Sequence, residues 1–239
     1  MPGIVIIDSA KVVTEEVAAV TRVLNSEMRA FCEAWKLPYW RVYHATESSA
    51  IPVDHFRHTL IDDSDEHPEW LGWHSSGGFF GAPNATTLTK DEWWSVTADH
   101  ENKEMRGNPD VNIWSPWPGE PLWKVALEVA DPTQADWRVV TTSFYGKVYR
   151  TRVSNYVLPS WFDENAPPPY DAFGLCKRPG EIRPGGYAVI KNIHTGVRDN
   201  VWGRSLPWWA RQRKQWIERK MQRLASGRAA TLLQERQSV

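Results

Sequence analysis

The residues most capable of chemistry lie in one stretch, from Asp91 to Asp110, with the sequence DEWWSVTADHENKEMRGNPD. Asp91 is a suitable N-cap, and no residue from Glu92 to Met105 opposes a helix. Within that predicted helix, His100 and Glu104 are four residues apart. Side chains at this spacing lie on one face with Cβ atoms about 5–6 Å apart, so the two could bind the same metal ion.

Two further carboxylates accompany this pair. Glu101 lies one residue along, where it could accept a proton from a metal-bound water. The sequence Gly107-Asn108-Pro109 then ends the helix and turns Asp110 back toward the same face. We therefore predict three ligands for Zn²⁺ or a harder ion, which are His100, Glu104 and Asp110. Glu101 is the predicted catalytic base.

From His100 to Asp110 the pattern is H-E-x-x-E-x-x-G-x-x-D. It resembles the zincin signature H-E-x-x-H and its metzincin extension H-E-x-x-H-x-x-G-x-x-H/D, in which a glycine turn brings the third ligand around. The resemblance implies a zinc-dependent hydrolase, and in particular a peptidase. Glu104 stands where those proteins have the second histidine. In the alternative interpretation there is no metal, and His100 and Glu104 are simply paired on a helix surface.

A second resemblance extends over about residues 70 to 190. It is to a family of uncharacterised proteins from bacterial and tailed-phage genomes that carry an S-H-E-x-x-E-M-x-x-D-P core. Asp99 replaces the serine of that core, and Asn108 replaces the aspartate before proline. Asn102 and Lys103 occupy positions that are usually apolar, and these changes favour a scaffold with weakened metal chemistry. The matching segments are Leu71-Gly72-Trp73-His74, Ser95-Val96-Thr97, His100-Glu101, Glu104-Met105, Glu128-Val129, Asp131-Pro132, Val153-Ser154-Asn155-Tyr156, Pro159-Ser160-Trp161-Phe162-Asp163 and Gly185-Gly186-Tyr187.

The phage resemblance implies a structural component of a tailed-phage virion, a head, neck or tail protein built on a zincin-like, non-catalytic domain. Its partners would be other virion proteins or copies of itself in a large assembly. It would be made in the host cytoplasm and reside in the virion. The zinc-dependent hydrolase is the alternative function, and the two differ in whether the metal motif is used for catalysis.

Hydrophobic periodicity predicts an α+β domain over residues 1–202. The run Ile4-Val5-Ile6-Ile7 is typical of a buried strand, and apolar residues at spacings of three and four predict a helix from Thr14 to Trp35. Predicted strands flank both this helix and the predicted helix that carries His100 and Glu104, without regular βα alternation. This order favours a mixed sheet packed against the two helices. Further strands are predicted at 41–44, 56–61, 70–74, 122–129, 149–157 and 187–190, with a hairpin turn at 144–148.

His74 ends one of these strands, 70–74, and a flexible loop at 75–78 follows it. In zincin-like folds a strand of this kind borders the cleft over the active-site helix. The resemblance therefore implies that His74 could face a ligand. The alternative is a polar residue at a strand end with no ligand.

The overall composition is that of a globular protein, with 41% hydrophobic and 24% charged residues and a net charge of −1. No apolar run reaches the roughly 20 residues of a membrane span, and the N-terminus lacks the basic region of a signal peptide. Cys32 and Cys176 are predicted to be free core thiols in a reducing compartment. The 15 tryptophans suit both core packing and protein contacts.

The composition changes at Gly203. Residues 203–239 contain nine Lys or Arg and two Glu, a net charge of +7, so the remaining residues carry −8. Pro207 is suited to a helix start, and we predict a basic helical C-terminal arm over 203–239. An aromatic stripe with basic flanks favours docking on an acidic protein, with nucleic acid as the alternative. The predicted partner-binding residues are Trp208, Trp209, Trp216 and Ile217.

Overall fold

Two β-sheets, a β-hairpin and two α-helices make up the described part of the chain. The structure is a computed structural model that describes residues 2–10, 12–45, 51–52, 54–62, 71–75, 84–89 and 93–203. The helices are α1, Thr14–Ala34, and α2, Trp94–Gly107. The strands are β1 Gly3–Asp8, β2 Arg41–Ala45, β3 Phe56–Ile61, β4 Gly72–Ser75, β5 Asn84–Leu88, β6 Trp114–Trp117, β7 Glu120–Ala126, β8 Trp137–Phe144, β9 Lys147–Ser154, β10 Tyr187–Asn192 and β11 Arg198–Trp202. The predicted α+β class with a mixed sheet is confirmed.

The five-stranded sheet is mixed and has the order β2-β1-β3-β5-β4. Its first four strands are parallel, and the edge strand β4 is antiparallel to β5. The predicted strand at Ile4–Ile7 is confirmed as part of β1, in which Ile4, Val5 and Ile6 are all fully buried. Consecutive residues of a strand point to opposite faces, so both faces of the sheet are covered here, as is usual for parallel strands.

The helix α1 covers the sheet with the apolar stripe that its sequence predicts. Val17, Val20, Leu24, Met28 and Phe31 recur at spacings of three or four residues, and all are buried. Burial of each large apolar side chain is worth about 1.5–3 kcal/mol, so this stripe accounts for the position of the helix. The predicted span from Thr14 to Trp35 agrees with the observed helix to within one residue.

The second half of the chain contains a four-stranded antiparallel sheet, with the order β11-β10-β7-β6, and the separate hairpin β8–β9. At the tip of the hairpin, Tyr145 and Gly146 have φ angles of 46° and 75°. Positive φ at both central residues is what a two-residue type I′ turn requires. The predicted turn at 144–148 is therefore confirmed.

Several strand predictions are corrected by the structure. β5 has only one large apolar residue, Leu88, and so gives little sequence signal; pairing with β3 and β4 on its two edges holds it in the sheet. The strand predicted at 122–129 ends at Ala126, and the one predicted at 149–157 ends at Ser154. The segment 187–190 is not the last strand, because β11 pairs with β10.

Polar residues of α2 form buried pairs with neighbouring elements. Lys103 is fully buried, and its Nζ donates hydrogen bonds to Asp99 and, at 2.9 Å, to the Ser154 carbonyl oxygen. The carboxylate of Asp99 also accepts the backbone N–H of Ser154, at 2.9 Å. Burial raises the pKa of Asp99 to about 6, with Lys103 acting in the opposite direction. This pair ties α2 to the end of β9.

Asn102 is also buried, and its Oδ1 lies 2.7 Å from His58 Nδ1. Burial lowers the pKa of His58 to about 4, so its ring is neutral. A neutral ring donates through one nitrogen and accepts through the other. Nδ1 therefore donates to Asn102, and Nε2 accepts from the Thr87 hydroxyl at 2.9 Å. This contact joins α2 to the underlying strands β3 and β5.

The two cysteines lie in the core of the described structure, whereas the C-terminal arm lies outside it. Cys32 and Cys176 are free and buried, as predicted. Within the described ranges, no helix is both long and apolar enough to cross a membrane. The predicted cap Asp91 lies outside the described residues, and so does the arm from Arg204 onward, with Trp208, Trp209, Trp216 and Ile217.

Candidate metal centre

The helix α2 brings His100 and Glu104 together on one face. Nε2 of His100 lies 3.2 Å from Oε2 of Glu104. The helix begins at Trp94 rather than at Glu92, but the spacing of four residues places the two side chains as predicted. This pair forms the base of the candidate centre.

The third potential metal ligand, beside His100 and Glu104, is Asp131, which begins a short 3-10 helix, Asp131–Thr133. Its Oδ1 lies 3.3 Å from His100 Nε2. The backbone fixes it there, because Glu104 Oε1 accepts the N–H groups of Ala130 and Asp131, both at 3.1 Å. Burial and the charge of the neighbouring Asp131 raise the pKa of Tyr187, so the phenol keeps its proton.

The third predicted ligand, Asp110, lies elsewhere. It is exposed and belongs to neither of the two possible metal-binding groups of the described residues. The chain is turned away after α2 by Asn108, whose Oδ1 accepts the backbone N–H groups of Asn112 and Ile113 at 3.0 Å each. Val111 has a φ of 51° in the same turn. The turn leads into β6 and does not bring Asp110 back to the helix face.

The edge strand β4 lies over α2 and brings in His74. Its Nδ1 is 3.2 Å from Glu101 Oε2 and 3.7 Å from Glu104 Oε2. The strand approaches the helix closely at Gly72, where a Cβ atom would clash with the Thr97 side chain and the Thr86 carbonyl oxygen. His74 and His100 therefore share the acidic neighbour Glu104.

Glu128 completes the arrangement. It follows β7, and its Oε2 lies 3.5 Å from His74 Nε2. Its other oxygen, Oε1, accepts a hydrogen bond from Asn108 Nδ2 at 3.0 Å. We call these residues the histidine–carboxylate cluster; its members are His74, His100, Glu101, Glu104, Glu128 and Asp131.

The histidine–carboxylate cluster is almost completely buried. The exposed fraction of its side chains ranges from 4% for Glu104 to 12% for His100. Among the residues that the structure describes, two buried polar atoms of the cluster have no hydrogen-bond partner, His74 Nε2 and Glu128 Oε2. Unpaired polar groups are rare in protein interiors and call for an explanation.

The separations of the ligand-type atoms suit a metal centre. The nitrogen–oxygen distances at His100 are 3.2 and 3.3 Å, longer than the roughly 2.9–3.0 Å typical of N–H···O hydrogen bonds. Tetrahedral Zn²⁺ with ligand distances near 2.0–2.2 Å places neighbouring ligand atoms about 3.4 Å apart. In the described chain, two groups of three residues each have ligand atoms that all lie within 4.8 Å of one another. One group is His100, Glu104 and Asp131, and the other is His74, Glu104 and Glu128.

The electrostatics of the cluster favour cations. Burial alone lowers the pKa of His74, but the hydrogen bond that it donates to Glu101 and the charges of Glu104, Glu101 and Glu128 raise the pKa to about 9. Burial is likewise outweighed at His100, where Glu104 and Asp131 hold the pKa well above its usual value. Burial and the neighbouring Glu104 raise the pKa of Asp131 to about 7. A divalent cation would compete with protons for these ligands, so its affinity should increase with pH.

Sequence reasoning found His100, Glu104, Glu101 and His74, but it did not assign Asp131 or Glu128 to the centre. Both lie in segments that carry the phage-family resemblance, Glu128-Val129 and Asp131-Pro132. The acidic residues of those two segments were the available signal. The prediction of one strand over 122–129 obscured this signal, because the strand in fact ends at Ala126 and Glu128 lies in the irregular segment before the 3-10 helix.

Comparison with known proteins adds no assignment to this geometry: no protein-family model, curated protein or solved structure matches the chain. Function must therefore be argued from the cluster itself.

Proposed function

We propose that this protein is a metal-dependent hydrolase in which His100, Glu104 and Asp131 bind Zn²⁺. The observation that supports this most strongly is the position of Asp131 Oδ1 and Glu104 Oε2 at 3.3 and 3.2 Å from one nitrogen, His100 Nε2. Three protein ligands leave a fourth position for water, which is the arrangement of catalytic rather than structural zinc sites.

The remaining residues have roles that fit hydrolysis. Zinc at this site would supply a bound water of lowered pKa and a Lewis acid for a carbonyl oxygen. Two carboxylate ligands neutralise the ion, which makes the water a weaker acid than at a site with neutral ligands, so a nearby base matters more. Glu101 is the candidate base, and His74 Nδ1 holds it in place at 3.2 Å. The zincin resemblance supports a peptide as the substrate class.

Replacement of Asp131 tests the ligand set. Asp131→Asn should weaken Zn²⁺ binding at the His100 site at least about tenfold, because an amide oxygen carries no charge. Zn²⁺ titration followed by the ring signals of His100 in NMR spectra would measure this. Asp110→Asn is the matched control, and it should bind Zn²⁺ like the unmodified protein. If Asp110→Asn weakens binding and Asp131→Asn does not, the ligand set is wrong.

A second candidate function is assembly, as a structural component of a tailed-phage virion. The observation that favours it is the tip of the hairpin β8–β9, where Tyr145 is 84% exposed and Val148 is 70% exposed. Exposed aromatic and aliphatic groups at the tip of a hairpin are suited to contacts with another protein. The phage resemblance supplies the kind of partner, which is another virion protein or a second copy of this chain.

Substitutions at the hairpin tip test the assembly role. Tyr145→Ser combined with Val148→Ser should weaken self-association at least about tenfold, since tenfold corresponds to only about 1.4 kcal/mol and each buried group is worth more than that. Sedimentation velocity over a range of concentrations would measure it. Arg150→Ser, an exposed change on the same hairpin, should leave association unchanged. Equal association of all three proteins would remove the support for this candidate.

A further inference from the structure

We propose that the histidine–carboxylate cluster binds a second divalent cation, held by His74, Glu128 and Glu104, so that Glu104 bridges two ions. This inference rests on the proposed function, because it takes the His100 site as the first of the two positions. It changes the class of the centre from mononuclear to dinuclear.

His74 presents a free ligand atom at this second position. Its Nδ1 lies 3.2 Å from Glu101 Oε2, to which it donates as N–H. When a metal ion displaces the second ring proton, an imidazole that still donates through Nδ1 offers the lone pair of Nε2. Within the described chain that Nε2 atom has no hydrogen-bond partner, although the side chain is only 6% exposed. Glu101 thus fixes the ring so that Nε2 faces Glu128.

Glu128 presents the matching oxygen. Asn108 occupies its Oε1 with a hydrogen bond of 3.0 Å. The other oxygen, Oε2, has no hydrogen-bond partner among the described residues, and it lies 3.5 Å from His74 Nε2, within ion-pair range of a protonated ring. That separation is close to the roughly 3.4 Å between neighbouring ligands of a tetrahedral zinc ion. A cation bound by both atoms would satisfy the two unpartnered groups of the cluster at once.

Glu104 supplies the shared ligand. Its Oε1 is occupied by the backbone N–H groups of Ala130 and Asp131. Its Oε2 lies 3.2 Å from His100 Nε2, and ligand atoms of His74, Glu104 and Glu128 all lie within 4.8 Å of one another. One carboxylate oxygen is therefore available to both positions. Sharing of a ligand between two ions is the arrangement of two-metal hydrolytic sites.

The charge of the cluster supports two ions rather than one. Metal binding deprotonates its ligands, and in that state the four carboxylates and two neutral imidazoles carry a formal charge of −4 in a site that is almost completely removed from water. Burying uncompensated charge is costly. One Zn²⁺ leaves two negative charges unbalanced, whereas two Zn²⁺ ions neutralise the cluster. The mixed nitrogen and oxygen ligands suit zinc, and also manganese.

The test is the number of Zn²⁺ ions bound by the full chain, measured by native mass spectrometry and by calorimetric titration with Zn²⁺ alone. We expect two ions per chain, and one ion for Glu128→Gln. His74→Gln gives a second, independent variant, for which one ion is also expected. Glu120→Gln, an exposed change on the neighbouring strand β7, is the control and should bind two. Circular dichroism checks that each variant is folded.

The outcomes separate this inference from the proposed function. One ion in the unmodified protein, retained in Glu128→Gln and lost in Asp131→Asn, overturns the second site and leaves the His100 site intact. One ion that is lost in Glu128→Gln but retained in Asp131→Asn overturns the assignment of the first site. No bound ion in the unmodified protein overturns both proposals. Two ions that fall to one in both Glu128→Gln and His74→Gln support the dinuclear centre.

Discussion

Replacing Glu101 by glutamine should lower the turnover number for peptide hydrolysis by about 10²–10⁴-fold, the usual contribution of a general base. Glutamine has nearly the same shape as glutamate, and its carbonyl oxygen can still accept the hydrogen bond from His74 Nδ1. It cannot accept a proton from water at neutral pH. The loss should therefore appear in turnover, while Zn²⁺ binding and the folding of the protein are retained.

The measurement is cleavage of a mixture of internally quenched peptides by the zinc-loaded protein, with bound zinc determined on the same samples. Glu120→Gln serves as the control, because it makes the same chemical change at an exposed position of β7. Full activity in Glu101→Gln would show that another group is the base. A zinc-loaded unmodified protein that cleaves no peptide would contradict the peptidase assignment and leave the metal-binding experiments unaffected.

The second large effect concerns stability. Lys103→Met should lower the free energy of unfolding by about 3–5 kcal/mol, the usual result of removing one partner of a buried ion pair. The Asp99 carboxylate would remain fully buried without its cation, and the Ser154 carbonyl oxygen would lose a donor. Methionine has a similar length and no charge, so the effect reports the lost pairing more than a cavity.

Equilibrium unfolding in urea measures this difference. The double variant Asp99→Leu with Lys103→Met is the matched control, since it removes both charges together. It should be more stable than Lys103→Met alone, because no unpaired charge is then buried. If the double variant is no more stable than the single one, the pairing of Asp99 with Lys103 contributes less than the structure indicates.

The polar residues Asn102 and Lys103 of α2 acquire a physical explanation from their contacts. From the sequence, polar residues at Asn102 and Lys103 favour weakened metal chemistry. In the structure Lys103 pairs with Asp99 and Asn102 with His58. These side chains therefore serve to join α2 to the sheet and to β9. Their polarity is explained by how the helix packs. It is therefore no evidence against a metal ion at His100.

The sequence by itself determined the features that depend on neighbouring residues. The stripe of α1, the strand at Ile4–Ile7, the turn at Tyr145-Gly146 and the pairing of His100 with Glu104 all follow from local periodicity or backbone preference. The 3.6-residue repeat of a helix fixes which side chains share a face whatever surrounds the helix. These predictions therefore needed no knowledge of the rest of the fold.

The tertiary structure decided how the centre is completed. Asp131 meets Glu104 across 27 residues, and His74 meets Glu101 across another 27. Asp110 is only six residues from Glu104, yet the hydrogen bonds of Asn108 direct the chain elsewhere. Contacts of this kind depend on how β4 packs on α2 and where β7 ends. Local sequence preferences do not encode those positions, because they arise from the burial of many side chains at once.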